Sequence, residues 1–261
     1  MTIKYMAKAT TAIWQEIASP DNPYITESCR LHGYDLFDVT KNCSYVETLF
    51  LLFKGQLPTR PQAVLMERLM IFLINPGPRH AATRAAMTAG VSKADHAHIL
   101  PIGLITMGGE HLGALEVEKA MHFLNQNIES NPVETANNLL SRFMPAEQGD
   151  NRIAPGFGSH FNSIDSLAEQ VAAHLCTLEA AGKALNWCNQ FTKITVTNNL
   201  SWLTTGIAAA VFFDFELGAR EAAGLFQLLS APGILAHGLE QTHKPITAMP
   251  MLEDKNYVIE K

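Results

Sequence analysis

The sequence predicts an all-α protein of stacked helices that pairs as a two-fold dimer. Three observations predict it. Apolar residues recur at helical spacing through most of the chain. The segments that carry this spacing end in capping and breaking residues typical of helices. Between them no run alternates with the period of two that marks a half-buried strand. The 261 residues suffice for one large core, or for a large domain with a small one appended. Hydrophobic residues make up 47% and charged residues 17%, which suits a soluble helical protein that buries a large face against a second copy.

The elements follow in order. Ser44 to Phe53 is apolar at helical spacing and stops at Gly55, a glycine suited to the left-handed residue after a helix. Gln56-Leu57-Pro58-Thr59 breaks the chain, and Thr59 caps a helix from Arg60 to Ile74 with Pro61 in its first turn. Asn75-Pro76-Gly77-Pro78 breaks it again. Further helices are expected over His80 to Ala89, Ala94 to Met107, Gly113 to Asn127 and Pro132 to Phe143. Glycine, proline and polar residues make Pro145 to Ser163 a loop. One long helix is expected from Ile164 to Trp187, then helices over Leu200 to Phe213, Ala219 to Leu229 and Ile234 to Gln241.

The formal net charge of −6 argues against nonspecific nucleic-acid binding, which needs a basic face, but leaves room for a local basic pocket. Cys29, Cys43, Cys176 and Cys188 form no C-x-x-C pair and have no zinc-ligand spacing, so the expectation is a reduced, cytoplasmic protein without a metal. Met1 to Glu16 lacks the apolar run of a signal peptide. Gly206 to Phe213, the most apolar stretch, is too short to span a bilayer and is followed by Asp214 and Glu216, so no membrane is expected. Neither a P-loop nor a G-x-S-x-G elbow is present.

Several short runs resemble, in order, those of the citrate synthase family. Gly33-Tyr34-Asp35 precedes a helix that ends in Gly55-Gln56-Leu57-Pro58-Thr59, similar to the family's opening. His80-Ala81-Ala82-Thr83-Arg84-Ala85-Ala86 resembles its first histidine helix, and Gly108-Gly109-Glu110-His111-Leu112-Gly113-Ala114-Leu115 its glycine-histidine turn. Ala154-Pro155-Gly156-Phe157-Gly158 looks like its P-G-F-G-H loop, and Ala236-His237-Gly238-Leu239-Glu240-Gln241 its A-H-x-x-E-Q segment. The likeness spans roughly Gly33 to Tyr257, and the short chain is closest to the citryl-CoA lyase module. It implies one unit over residues 1–261, with about 140–230 forming a smaller lobe on the coenzyme A side. A homodimer, a CoA thioester substrate and a small-molecule acceptor are implied too.

The chemistry implied is the making or breaking of a carbon–carbon bond beside a thioester. It needs a base for the α-proton, a donor for the enolate oxygen, and arginines that clamp carboxylates in pairs of bonds. His111 matches the enolate-binding histidine, at a helix start that favours a neutral imidazole. His80 matches the histidine that contacts the acceptor carbonyl; a cap-region residue is the alternative. The loop histidine's place holds Ser159, with His160 next, so His160 is the candidate base. The aspartate's place falls at Asn199-Leu200-Ser201, which leaves Asn199, Ser201 and Ser159 as hydrogen-bonding groups toward substrate. The two arginine positions fall at Leu167 and at Ser230 or Ala231. Arg152, Ile153, Pro155, Gly156, Phe157, Gly158 and Lys244 are the expected CoA contacts, the glycines for close backbone approach. Arg79 and Arg84 could meet phosphates or simply be solvated. His96 and His98, one apart on a helix, point in different directions and read as a solvated face. Two functions follow from this mixed set: an enzyme acting on a non-standard, less charged partner of the thioester, or an inactive homologue that binds CoA or a partner protein and regulates.

Overall fold

The structure, a computed structural model, describes residues 10–146, 149–250 and 253–257. Part of the Met1 to Glu16 segment therefore lies outside the described residues. The chain divides into two compact units, Met1–Glu67 and Arg68–Lys261.

The first unit holds a three-stranded antiparallel sheet in the order β1-β2-β3, from β1 (Trp14–Ala18), β2 (Thr26–Leu31) and β3 (Tyr34–Asp35). No strand was expected from the sequence. The reason is burial: every residue of β1 is exposed and only Leu31 of β2 is buried, so no apolar face imposes alternation. Asp35 caps α1 (Leu36–Asn42) by accepting the N–H groups of Phe37 and Asp38. Helix α2 (Tyr45–Lys54) begins in a capping box between Ser44 and Glu47 and ends at Gly55, whose φ of 73° suits glycine. Leu31, Val39 and Leu51, with Cys43 against them, form this unit's small core. Thr59 and Gln62 bond reciprocally at the start of α3 (Arg60–Leu73).

The second unit is helical. Helix α11 (Ala219–Gln241) packs against α4 (Ala81–Val91), α5 (His96–Met107) and α6 (Ala114–Asn127), and α10 (Thr204–Asp214) packs on α6. Helices α7 (Pro132–Leu140) and α9 (Lys183–Thr195) pack together, and α9 also meets α10. The sequence suggested two helices within α11; the chain runs on through Pro232. Proline removes one N–H from the helix ladder, and the next, on Gly233, donates instead to Ile74 O at 2.8 Å. Packing on three neighbours holds the helix together across that gap.

The opposite correction applies at Ile164 to Trp187. This is two helices, α8 (Ser166–Leu175) and α9, because the Asp214 carboxylate accepts the N–H groups of Gly182, Ala184 and Leu185 and fixes a new helix start. The expected loop at Pro145 to Ser163 contains β4 (Asn151–Ala154) and β5 (Phe157–Ser159), and the expected helix from Leu200 starts with β6 (Ser201–Trp202). These three strands form the second antiparallel sheet. Fully buried Phe157 anchors it, its ring 5.2 Å from Phe191 and 5.3 Å from Trp202.

Candidate functional site

Within the second unit, a cavity of about 720 Å³ is lined by His80, His111, Asp150 and His160. The fold brings these four together from three places: the start of α4, the turn before α6, and the β4–β5 hairpin with its exit. Arg79 and Arg84 line the cavity beside His80. Leu167 and Ser230, the positions where the resemblance expects arginine, line it as well, as do Phe161, Phe226 and Met107. The cavity thus has a cationic edge at Arg79 and Arg84, the carboxylates of Asp150 and Asp165, and an apolar part that includes Phe161, Phe226 and Met107.

His80 is bound into the protein by both ring nitrogens. Nδ1 accepts the Ala82 N–H at 3.1 Å, which caps α4, and Nε2 donates to Leu112 O at 3.1 Å. Those two bonds specify the neutral ring with its proton on Nε2. Burial is the main reason its pKa is held below the ordinary histidine value, with the nearby His111 acting the same way against the Leu112 carbonyl. His80 therefore joins α4 to the turn that carries His111, and its ring nitrogens are not open to a substrate carbonyl as expected.

His111 sits in that turn, three residues before α6, with its side chain 67% exposed. Leu112 next to it has a φ of 54°, and its N–H donates to Glu116 Oε2 at 3.1 Å. Glu116 is the buried support of the site. Its Oε1 accepts from Arg152 Nε at 2.7 Å, and its Oε2 also accepts from Thr205 Oγ1 at 3.1 Å. Arg152 donates further to Asn151 O and Ser159 O and lies 3.5 Å from Asp150. Arg152 was expected to meet CoA; its guanidinium is instead spent inside the protein, tying β4 to α6.

Asp150 was not singled out in the sequence. Its side chain is 11% exposed, its Oδ2 lies 3.1 Å from His160 Nδ1 and 3.6 Å from His111 Nε2, and its Oδ1 accepts the Phe161 N–H at 3.3 Å. Burial pushes this carboxyl up, but the hydrogen bond and charge of His160, the Arg152 guanidinium and the Phe161 N–H together hold it below the usual carboxylate range. Asp150 lies within the segment expected as a loop, immediately before β4.

Other expected contacts fall elsewhere. Gly156 has φ 81°, and a side chain there would meet the backbone of Gly206 at 2.5 Å, so its close approach is to α10. Gly158 is likewise pressed on Asn151 O, and Phe157 is core. Ile153 and Pro155 are half-buried on the same hairpin. Ser159 Oγ is buried without a hydrogen-bond partner among the described residues. Ser201 is buried, with its hydroxyl donating to Glu169 Oε1 at 2.6 Å. Asn199 ends a 3-10 turn in the left-handed conformation, φ 57°. Lys244 lies past the end of α11, where its carbonyl accepts from Lys93 Nζ just beyond the C-terminus of α4. His80 caps the other end of α4, so Lys244 is removed from the cavity. Asp165, two residues before Leu167, caps α8. Among the described residues no group of three or more His, Cys, Asp or Glu could hold a metal ion.

No protein-family model matches the chain, and no curated protein matches it by sequence. Solved structures do match. The chain is similar to a citryl-CoA lyase from Hydrogenobacter thermophilus, with TM-score 0.74 and 20% identity over 97% of this chain and 94% of that one. It is similar to an ATP citrate lyase from Methanothrix soehngenii in complex with citrate and coenzyme A, with TM-score 0.72 and 16% identity over 99% of this chain and 44% of that one. A citrate synthase from Thermotoga maritima matches with TM-score 0.63 and 18% identity over 85% of this chain and 60% of that one. The fold is that of citrate synthase and citryl-CoA lyase, helical as expected.

Proposed function

We propose that this protein makes or breaks a carbon–carbon bond beside an acyl-CoA thioester, on a partner substrate that carries less charge than citrate. The observation that carries the proposal is the cavity itself: His111, His160 and Asp150 face one space, while Leu167 and Ser230 stand where the resemblance expects carboxylate-binding arginines. A tricarboxylate in this cavity would forgo two charge-assisted clamps, each worth about 1.5–3 kcal/mol. The likeness in fold to a citryl-CoA lyase, and to an ATP citrate lyase bound to citrate and coenzyme A, supports the thioester as the other reactant.

In this scheme His111, exposed in its turn, supplies a donor to the enolate oxygen as charge develops there. His160 handles the α-proton. His80 holds the His111 turn rather than touching substrate. Of the hairpin, Ile153 and Pro155 are the positions left to meet the CoA thioester. The protein acts as a cytoplasmic homodimer without a metal.

Exchange of the α-protons of acetyl-CoA in heavy water tests this without knowledge of the acceptor. Wild-type protein should exchange, and His111→Ala should slow exchange on the order of 100- to 1000-fold. Condensation with oxaloacetate and cleavage of citryl-CoA should be negligible. Absence of wild-type exchange, with binding of CoA retained, would instead establish the inactive binding homologue, which the tie of Ser201 to Glu169 at the aspartate position favours.

A further inference from the structure

We propose that Asp150 is the positioning residue that turns His160 into a proton acceptor, in place of the aspartate that the sequence lacks between Asp165 and Asp214. The role rests on the acyl-CoA chemistry proposed above. His160 Nδ1 lies 3.1 Å from Asp150 Oδ2. An ionised carboxylate only accepts, so the bond requires a proton on Nδ1, and the neutral ring then carries its lone pair on Nε2. The ring lines the cavity and is 30% exposed.

Both partners are held. The backbone of His160 exchanges two bonds with Ser163, at 2.9 and 2.8 Å, around Phe161 and Asn162, which have φ of 47° and 61°. This closed turn fixes where the imidazole starts. Asp150 is fixed by the Phe161 N–H, from the same turn, and by Arg152, itself anchored on Glu116. Base and orienting group are therefore set by one small piece of backbone, the arrangement a general base with a third orienting group needs.

The charged groups around Asp150 leave this pairing intact. His111 Nε2 is 3.6 Å from the same Oδ2, beyond hydrogen-bond distance. Asp150 pairs among the described residues with His111, Arg152 and His160. Arg79 and His80 just before α4, Arg84 within it, and Asp165 at the start of α8 line the same cavity without joining that set. The carboxylate thus has one hydrogen-bonded imidazole and a supporting guanidinium.

His160 Nε2 takes the α-proton, and the C–H electron pair moves into the thioester as its oxygen becomes an enolate. The imidazolium keeps its Nδ1–H on Asp150, which stays a carboxylate. In the opposite direction the same Nε2–H returns the proton to the α-carbon.

Nitrogen-15 spectra of histidine-labelled protein test this directly, with His160→Gln assigning the signals. Neutral His160 should carry its proton on Nδ1 in the wild type. In Asp150→Asn, whose amide NH2 can turn toward Nδ1, that tautomer should be lost. Acetyl-CoA α-proton exchange should fall on the order of 100- to 10,000-fold in Asp150→Asn with CoA affinity retained. Asp150→Glu should recover part of it. A wild-type His160 protonated on Nε2, or undiminished exchange in Asp150→Asn, overturns the assignment. If the wild type shows the Nδ1 tautomer, Asp150→Asn abolishes it, and yet no exchange occurs, the dyad stands and the acyl-CoA chemistry falls.

Discussion

Replacing Glu116 by glutamine should cost the second unit about 3 kcal/mol, mostly through one buried guanidinium bond. The carboxylate is 4% exposed and accepts from three donors: Arg152 Nε at 2.7 Å on one oxygen, Thr205 Oγ1 and the Leu112 N–H at 3.1 Å on the other. A glutamine has one acceptor oxygen. Aimed at Arg152, it turns its NH2 toward the Leu112 N–H; aimed at Leu112, it turns its NH2 toward Arg152. Either way a charge-assisted bond of about 1.5–3 kcal/mol is weakened or lost, and a buried donor goes unpaired at about 1–3 kcal/mol. The sum is reduced because Arg152 is 25% exposed and keeps Asn151 O and Asp150 as partners. For a unit of this size the expected loss corresponds to a fall in Tm of roughly 6–12 °C. Thermal melts followed by tryptophan fluorescence report it, since Trp187 and Trp202 are buried in this unit. A loss below about 1 kcal/mol, from the same thermal data, would refute the idea that Glu116 is the support beneath the site.

Further outcomes of two kinds are expected, the first from glycine substitutions. Gly206→Ala should destabilise by about 1–3 kcal/mol or more in chemical denaturation, because its Cβ would stand 2.1 Å from Gly156 O and a backbone atom cannot move aside. Gly224→Ala, in the same denaturation series, should stabilise by about 0.5–1 kcal/mol, since nothing lies within 4 Å of its Cβ and alanine is the better helix former. The second concerns pH. The folded His80 takes a proton less readily than the unfolded ring, so stability from this group is complete above the ordinary histidine pKa of about 6.5 and declines as pH falls below it. His80→Asn keeps an acceptor for the Ala82 N–H and should flatten that decline when melting temperatures are compared across pH.

The helices were legible because their signals are local. Thr59 at a helix start and the glycine at position 55 after a helix act within one turn, so their roles can be read without knowing the fold. The same holds for the family motifs, which led to His111 and His160 and to the two positions lacking arginine. The small sheets escaped because β1 has no buried face and β6 is two residues long. The helix start at Gly182 and the unbroken run through Pro232 escaped because distant residues decide them: Asp214 caps the first, and the neighbouring helices hold the second.

At the site the division is the same. Which side chains could do chemistry was written in the sequence; which of them are free to do it was decided by folding. His80 and Arg152 carry suitable groups, yet hydrogen bonds to Ala82, Leu112 and Glu116 consume them. Asp150 carried no motif, and becomes a partner to two histidines only because the β4–β5 hairpin folds back to place position 150 beside position 160 while the Glu116 anchor holds the hairpin on α6. A residue's chemical type is local, but its hydrogen-bond partners and its access to the cavity depend on chain segments far apart in sequence, which meet only when the core packs.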